Sequence, residues 1–308
     1  MKILKNAITV VIISFSSIIY AQTIEIPSCY EHESIKFPPQ NEEERGALEL
    51  KKSNRAVIVL VDETAVLPQK IQDQAIKLNE NFFKKLSSTP DRPGLFYQSI
   101  KFSTFSDGKF SSTMVKGVLE GGASLTEKAN ALAGSKRTKL STSIKNLNVC
   151  LIQQVQLASK KASESIANTM KQGSSEIPKS DILTAIKEVG TVFRSRPEEE
   201  KVLLIISDMM EHSTYTSFYE KGGDLKQIDP VLELSELQKQ KYSADLKDVK
   251  VWILGGGYFA KPGTKEQPRS RDPKKIELLE SFWAKVFQQS KAELKEFGKP
   301  ELLGSMPQ

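Results

Sequence analysis

Hydrophobic positions along this chain fall into two kinds of pattern, and the two alternate. Unbroken apolar runs occur at Arg55–Val61, closed by Asp62, at Lys201–Ser207, closed by Asp208, and at Val249–Leu254, closed by Gly255-Gly256-Gly257. Continuous β-branched character of this sort predicts strands covered on both faces, as in a parallel sheet. Phe96–Phe105 reads as a further strand, and Phe110–Val115, after the turn Ser106-Asp107-Gly108-Lys109, as an edge strand returning beside it. Between these runs the spacing changes to three and four. Pro68 opens a helix carrying Ile71, Ala75, Leu78, Phe82, Phe83 and Leu86, stopped by Pro90, Pro93 and Gly94. Helices are also predicted over Asp181–Phe193, Val231–Tyr242 and Ile276–Phe297, the last carrying Phe282, Trp283 and Phe287.

The longest such segment runs from Lys139 to about Lys171 without proline or glycine. Leu140, Ile144, Leu147, Leu151, Val155, Ala158, Ala162 and Ile166 mark one face of a single helix about 50 Å long. A shorter helix over Leu125–Leu132 precedes it, and the pair reads as a helical insertion spanning about 123–172. Its apolar stripe must be buried on something close by, which favours a layer covering the core over a projecting arm for a partner. Strands alternating with helices give an α/β fold with a mainly parallel central sheet flanked by helices. The expected organisation is a segment 1–21 to be removed, an irregular leader over 22–54, the α/β domain over 55–297 and a tail over 298–308.

The N-terminus changes the picture most. Lys2 and Lys5 precede the uncharged run Ala7–Ile19, and Tyr20-Ala21 leads into polar sequence at Gln22. This is the order of a secretory signal with cleavage after Ala21. An uncleaved anchor is the alternative, but the run falls short of the roughly 20 residues a span needs. No later run reaches that length. A periplasmic or secreted location is therefore expected, without a membrane span after cleavage.

Losing the two lysines leaves 42 basic against 38 acidic residues. So mild an excess gives no clustered basic face for nucleic acid. Cys29 and Cys150 both survive cleavage. In an oxidising compartment an even pair points to a disulfide, with two separate thiols as the alternative. Their spacing does not suit zinc. The chain also lacks a nucleophile elbow and a phosphate-binding loop, since Gly255-Gly256-Gly257 is not followed by Lys-Ser or Lys-Thr.

Ligands of open parallel sheets sit beyond the carboxyl ends of the strands. Three segments deliver oxygen-bearing side chains there: Asp62-Glu63-Thr64, Ser180-Asp181 and Ser207-Asp208. Such a set suits a hard cation, Mg²⁺ or Mn²⁺. Taken in order, these segments resemble the metal-ion-dependent adhesion site of a von Willebrand factor A domain. That family carries Asp-x-Ser-x-Ser after its first strand, a Thr in a later loop, and an Asp, often followed by Gly, after its fourth strand. Asp62, Thr64, Ser180 and Asp208 match. Val66 stands where the second Ser would be, and Met209 where the Gly would be. A valine cannot coordinate, so a metal-free scaffold, with Asp62 and Asp208 capping loops, remains the alternative.

The resemblance implies a protein-interaction role in which a metal accepts a carboxylate from a protein partner, with Glu63, Met209, Met210 and His212 forming the surrounding partner surface. Two other readings stay open. One is a metal-dependent hydrolase using Asp62 and Asp208, with Glu211 or His212 as base. The other is a structural subunit of an envelope assembly, contacting its neighbours through the long helix. The expectation is that the chain is not an enzyme. His32, in the leader, is given no role.

Overall fold

A computed structural model of the protein describes residues 23–29, 53–88, 93–103, 111–121, 137–173, 180–221, 223–259, 269–270 and 272–304. The segment read as a signal, His32, the helix expected over 125–132 and the turn at 106–109 lie outside these residues. The elements in chain order are β1 (Ile24–Glu25), β2 (Ser53–Asp62), α1 (Gln69–Ser88), β3 (Gly94–Phe102), β4 (Ser111–Leu119), α2 (Arg137–Gln172), α3 (Ile182–Arg194), β5 (Glu200–Ile206), α4 (Pro230–Lys239), β6 (Val249–Leu254), β7 (Tyr258–Phe259), β8 (Arg269–Ser270), α5 (Pro273–Gln289) and β9 (Glu293–Phe297).

Seven strands form one sheet in the order β1-β4-β3-β2-β5-β6-β9. All neighbours are parallel except β3 and β4. The fold is α/β, with helices on both faces of a mainly parallel sheet. Alternation along β2 explains its unbroken apolar run. Ala56, Ile58 and Leu60 enter one core with α3, α4 and α5. Val57, Val59 and Val61 enter the other with α1 and α2. Every position of such a strand is interior, so none is free to be polar.

The long helix belongs to this architecture and is not an appendage. Val155, Ala158, Ala162, Ile166 and Met170 are buried in the second core against α1 and the sheet. Among the described residues no helix is long and apolar enough to cross a membrane.

Several element ends differ from the expectation by a few residues, and those at the two ends of the domain change the architecture. The leader is not wholly irregular: Ile24 and Glu25 pair in parallel with Val115 and Lys116, adding a strand to the sheet edge, and β2 begins at Ser53. Cys29 and Cys150 form a disulfide that ties this strand to α2. The terminal helix ends at Gln289, and Glu293–Phe297 becomes an edge strand beside β6. Lys291, with φ 62°, makes the turn between them. That strand is five residues long and alternates exposed with half-buried positions, a pattern that short helical spacing can mimic. The tail is also not loose, at least to residue 304. Pro300 O accepts from Gly255 N–H at 2.8 Å, and Leu302 is buried.

Candidate functional site at the centre of the sheet

Strand order reverses between β2 and β5: the chain builds outward from β2 through β3 and β4, then returns to build β5, β6 and β9 on its other side. A crevice opens at such a point, beyond the carboxyl ends of the strands. Register fills it. Val61 pairs with Ile206, so Asp62 and Ser207 leave neighbouring strands at the same level, with Asp208 one residue beyond.

Asp62 is almost wholly buried and is the hub. Its Oδ1 accepts from Thr64 N–H at 2.9 Å and from the Thr64 hydroxyl at 2.6 Å. Its Oδ2 accepts from the Ser180 hydroxyl at 3.0 Å and the Ser207 hydroxyl at 2.7 Å. Asp208, also buried, accepts on Oδ1 from Met210 N–H at 2.9 Å. Burial raises the Asp62 carboxyl above its ordinary range, against the pull of its four donors. Burial and the neighbouring charge of Asp62 push Asp208 up to about 8.

The four residues matched in sequence, Asp62, Thr64, Ser180 and Asp208, therefore meet in one place. Ser207, which the sequence places at this strand end but not among the matched positions, joins them. Its signal was available, since it directly precedes Asp208 on a strand whose partner ends in Asp62. The Ser207 hydroxyl also accepts from Met209 N–H at 2.9 Å, which fixes its rotamer.

Two of the four positions expected to face a partner do not. Met209 and Met210 are fully buried in the core shared by α3, α4 and α5. Met209 adopts φ 62°, the left-handed conformation that glycine takes without strain. A bulky residue persists there because its surroundings hold it. Trp283 Nε1 donates to its carbonyl at 3.0 Å, and its side chain fills core volume that a glycine would leave empty. The apolar side chains of Met209 and Met210 gave no hint of direction in sequence, because the turn after Asp208 folds them inward. Glu63 and His212 are half-buried at the rim. Glu63 pairs with Lys101 at 2.9 Å. His212 N–H donates to Ser180 O at 2.9 Å, its Nδ1 lies 2.8 Å from the Ser217 hydroxyl, and its ring meets Tyr219 edge to face.

Glu211 is turned away from the carboxylate pair. Its Oε2 accepts from Leu183 N–H at 3.1 Å, at the start of α3, where Asp181 is the N-cap. Its Oε1 is buried without a hydrogen-bond partner. Burial, with the charge of Asp181 beside it, holds this carboxyl well above its usual range. The triple glycine backs the site from β6. Gly257 N–H donates to Asp208 O at 2.9 Å, and Gly255, at φ 101°, leaves no room for a β-carbon beside Ser207 O.

The site collects two carboxylates and three hydroxyls, and no nitrogen or sulfur donor. Among the described residues no cluster of three His, Cys, Asp or Glu side chains is placed to hold a metal ion, so hydroxyls would have to complete any coordination shell. The crowding of two buried acids, relieved only by neutral dipoles, is what a hard cation would neutralise. On donor chemistry the residues fit Mg²⁺ or Mn²⁺, with Val66 contributing no oxygen.

No described protein family matches the chain, and no curated protein matches it. Among solved structures it is similar to an aerotolerance-related membrane protein from Bacteroides fragilis, at 13% identity over 79% of this chain and 92% of that one, with a TM-score of 0.32. It is also similar to the pilus adhesin SpaC from Lactobacillus rhamnosus GG in its open conformation, at 10% identity over 79% of this chain and 28% of the adhesin, with a TM-score of 0.38.

Proposed function

We propose that this chain is an exported protein-interaction protein, acting in adhesion or assembly, whose von Willebrand factor A-like domain meets a protein partner at the crevice between β2 and β5. The observation that carries the reading is the convergence of Thr64, Ser180 and Ser207 hydroxyls on the Asp62 carboxylate, with Asp208 buried alongside. Asp62, Thr64, Ser180 and Asp208 would hold Mg²⁺ or Mn²⁺. When bound, such an ion supplies positive charge and an open position for a carboxylate from the partner. Ser207 is a positioning residue that orients Asp62. Glu63, His212 and Tyr219 form the rim the partner would touch.

A hydrolytic role is less well supported. Its base would have to be Glu211 or His212, yet Glu211 is committed to α3 and His212 Nδ1 to Ser217.

The test is a thermal-shift titration of the purified protein with Mg²⁺ and Mn²⁺, beside Asp208→Ala. At a hundredfold excess over Kd, binding stabilises the fold by about 2.7 kcal/mol, a rise of roughly 5 °C or more for a chain of this size. The rise should vanish in Asp208→Ala. An unchanged melting temperature at millimolar metal, or an equal rise in the variant, would overturn the cation part of the proposal.

A further inference from the structure

The three hydroxyls that reach Asp62 are not held alike. Thr64 and Ser207 follow β2 and β5, whose pairing of Val61 with Ile206 fixes their level. Ser180 comes from outside the sheet, just ahead of α3. Its hydroxyl lies 3.0 Å from Asp62, against 2.6 Å for Thr64 and 2.7 Å for Ser207. The apolar face of α3 holds the helix on the sheet, but apolar contact is non-directional and fixes such a level loosely. Directional bonds are needed to bring the Ser180 hydroxyl to the carboxylate.

The turn after Asp208 supplies them. Left-handed Met209 reverses the chain, and its carbonyl accepts from Glu211 N–H at 3.2 Å and from Trp283 Nε1 at 3.0 Å. Phe218 N–H donates to Glu211 O at 2.9 Å, so the turn is held from both sides. Two bonds then cross to the start of α3. His212 N–H donates to Ser180 O at 2.9 Å, and Glu211 Oε2 accepts from Leu183 N–H at 3.1 Å. They lie on either side of the N-cap Asp181, whose Oδ1 takes Thr184 N–H at 3.1 Å. The first turn of a helix leaves its N–H groups without intrahelical partners. Here one carboxyl from within the segment and one from the β5 turn take two of them. The Tyr242 hydroxyl adds a bond to Leu183 O at 3.1 Å.

Glu211 is wholly buried, and its Oε1 has no hydrogen-bond partner. An acid so placed is costly to bury, and an apolar side chain would fill the same space without that cost. What an apolar side chain cannot do is accept the Leu183 N–H. We propose that Glu211 is a positioning residue of the cation site: its carboxyl clasps the first turn of α3 to the β5 turn and so sets the Ser180 hydroxyl relative to Asp62 and Asp208. This role rests on the cation reading above. Linkage makes it reciprocal. An ion that gathers Asp62, Ser180 and Asp208 draws together the two segments that Glu211 joins, and loosening the clasp weakens the ion's hold.

The experiment measures Mn²⁺ affinity of the purified protein by calorimetric titration, and hydrogen exchange of the Leu183 and His212 amides by NMR in chelator. Glu211→Ala should weaken Mn²⁺ binding about tenfold, as loss of a group that orients a ligand does, and should speed exchange at both amides. Glu211→Gln keeps an oxygen for Leu183 N–H and should hold both readouts within about twofold of the parent. Glu211→Asp is one methylene short of that amide and should behave as the alanine variant does; it replaces that variant if Glu211→Ala does not fold. Asn79→Ala is the control for stability alone. It breaks the chain from Tyr97 through Asn79 to Ser163 in the other core, away from the site, and should leave Mn²⁺ affinity unchanged. Affinity that Glu211→Ala leaves unaltered, or that Asn79→Ala weakens equally, would overturn the positioning role and leave the cation reading standing. A parent protein that binds no Mn²⁺ would overturn both.

Discussion

The centre of the sheet and its far edge both bury carboxylates, and they treat them differently. At the edge, Glu120 accepts from Cys29 N–H at 2.7 Å, from the Ser28 hydroxyl, and from the Gln154 amide at 3.3 Å. The same Gln154 amide donates to Pro27 O at 2.8 Å, and its carbonyl accepts from Glu120 N–H at 2.8 Å. The Cys29–Cys150 disulfide closes the cluster. One acid serves several donors, and all of its capacity is spent on holding the leader to β4 and α2. At the centre two acids stand together with hydroxyls and backbone amides as their donors. Charge remains there for something else to neutralise. A buried acid signals binding chemistry when its neighbours leave its charge uncompensated, and signals a staple when they do not.

Removing the staple should give the largest effect. The disulfide closes a loop with a sequence separation of 121. Loop-closure entropy puts its contribution at about 5 kcal/mol. The double variant Cys29→Ser, Cys150→Ser should lose roughly that much in urea unfolding, while its melting temperature still responds to Mg²⁺ as the parent does. A metal response lost together with the disulfide would show that edge and centre are coupled, and the contrast would fail.

The next effect belongs to the centre. Asp208 titrates near 8 in the folded protein, far above an ordinary aspartate. Between those values the folded state holds a proton that the unfolded state has released. Stability is therefore highest at low pH and falls as pH rises through that window. In chelator, unfolding free energy should drop by about 3 kcal/mol between pH 5 and 8 on account of this group. Asp208→Asn should flatten the slope and stabilise the protein at pH 8. A slope unchanged in the variant would remove the like-charge crowding from the account of the site.

Much of this was legible in the sequence. The unbroken runs of β2, β5 and β6 could only be interior strands, and the spacing along α2 named the residues that are buried from Leu147 to Ile166. Asp62, Thr64, Ser180 and Asp208 were picked out by resemblance to a known motif, in segments that leave strands or open a helix, where chain direction decides which side of the sheet they reach. What stayed hidden depended on register and turn geometry. Ser207 becomes a partner of Asp62 only through the Val61–Ile206 pairing. Met209 and Met210 point inward because of one left-handed residue. The strand at Ile24–Glu25 is two residues long, below the length at which alternation carries a signal. It forms because β4 offers an edge and Cys150 offers an anchor, both distant in sequence.

Val66 offers a way to sharpen the central half of the comparison. It stands where the motif that these loops resemble has a hydroxyl, four residues after Asp62, and it is half-buried. Val66→Ser adds an oxygen donor and should tighten Mg²⁺ binding roughly tenfold, about 1.4 kcal/mol, read from the midpoint of the thermal-shift titration. No change, with Asp208→Ala still abolishing the response, would mean that water completes the shell and that the missing hydroxyl costs nothing.

The smallest effect is the most direct comparison of the two regions, because it makes the same change in each. Glu120→Gln keeps the shape of the edge acid and removes its charge. Bonds to a charged acceptor contribute about 1.5–3 kcal/mol and neutral ones about 0.5–1.5. The amide also brings N–H donors toward Cys29 N–H and the Ser28 hydroxyl, which are donors already. Glu120→Gln should therefore cost about 1 kcal/mol in urea unfolding at pH 7, opposite in sign to Asp208→Asn measured in chelator at the same pH. The opposite signs follow from the neighbours alone: donors crowd around Glu120, whereas a second carboxylate stands beside Asp208. If both substitutions shift stability in the same direction, the distinction between a satisfied acid and an uncompensated one is lost. The central cluster would then be a second staple, and its likeness to a cation site would rest on residue order without the electrostatics to support it.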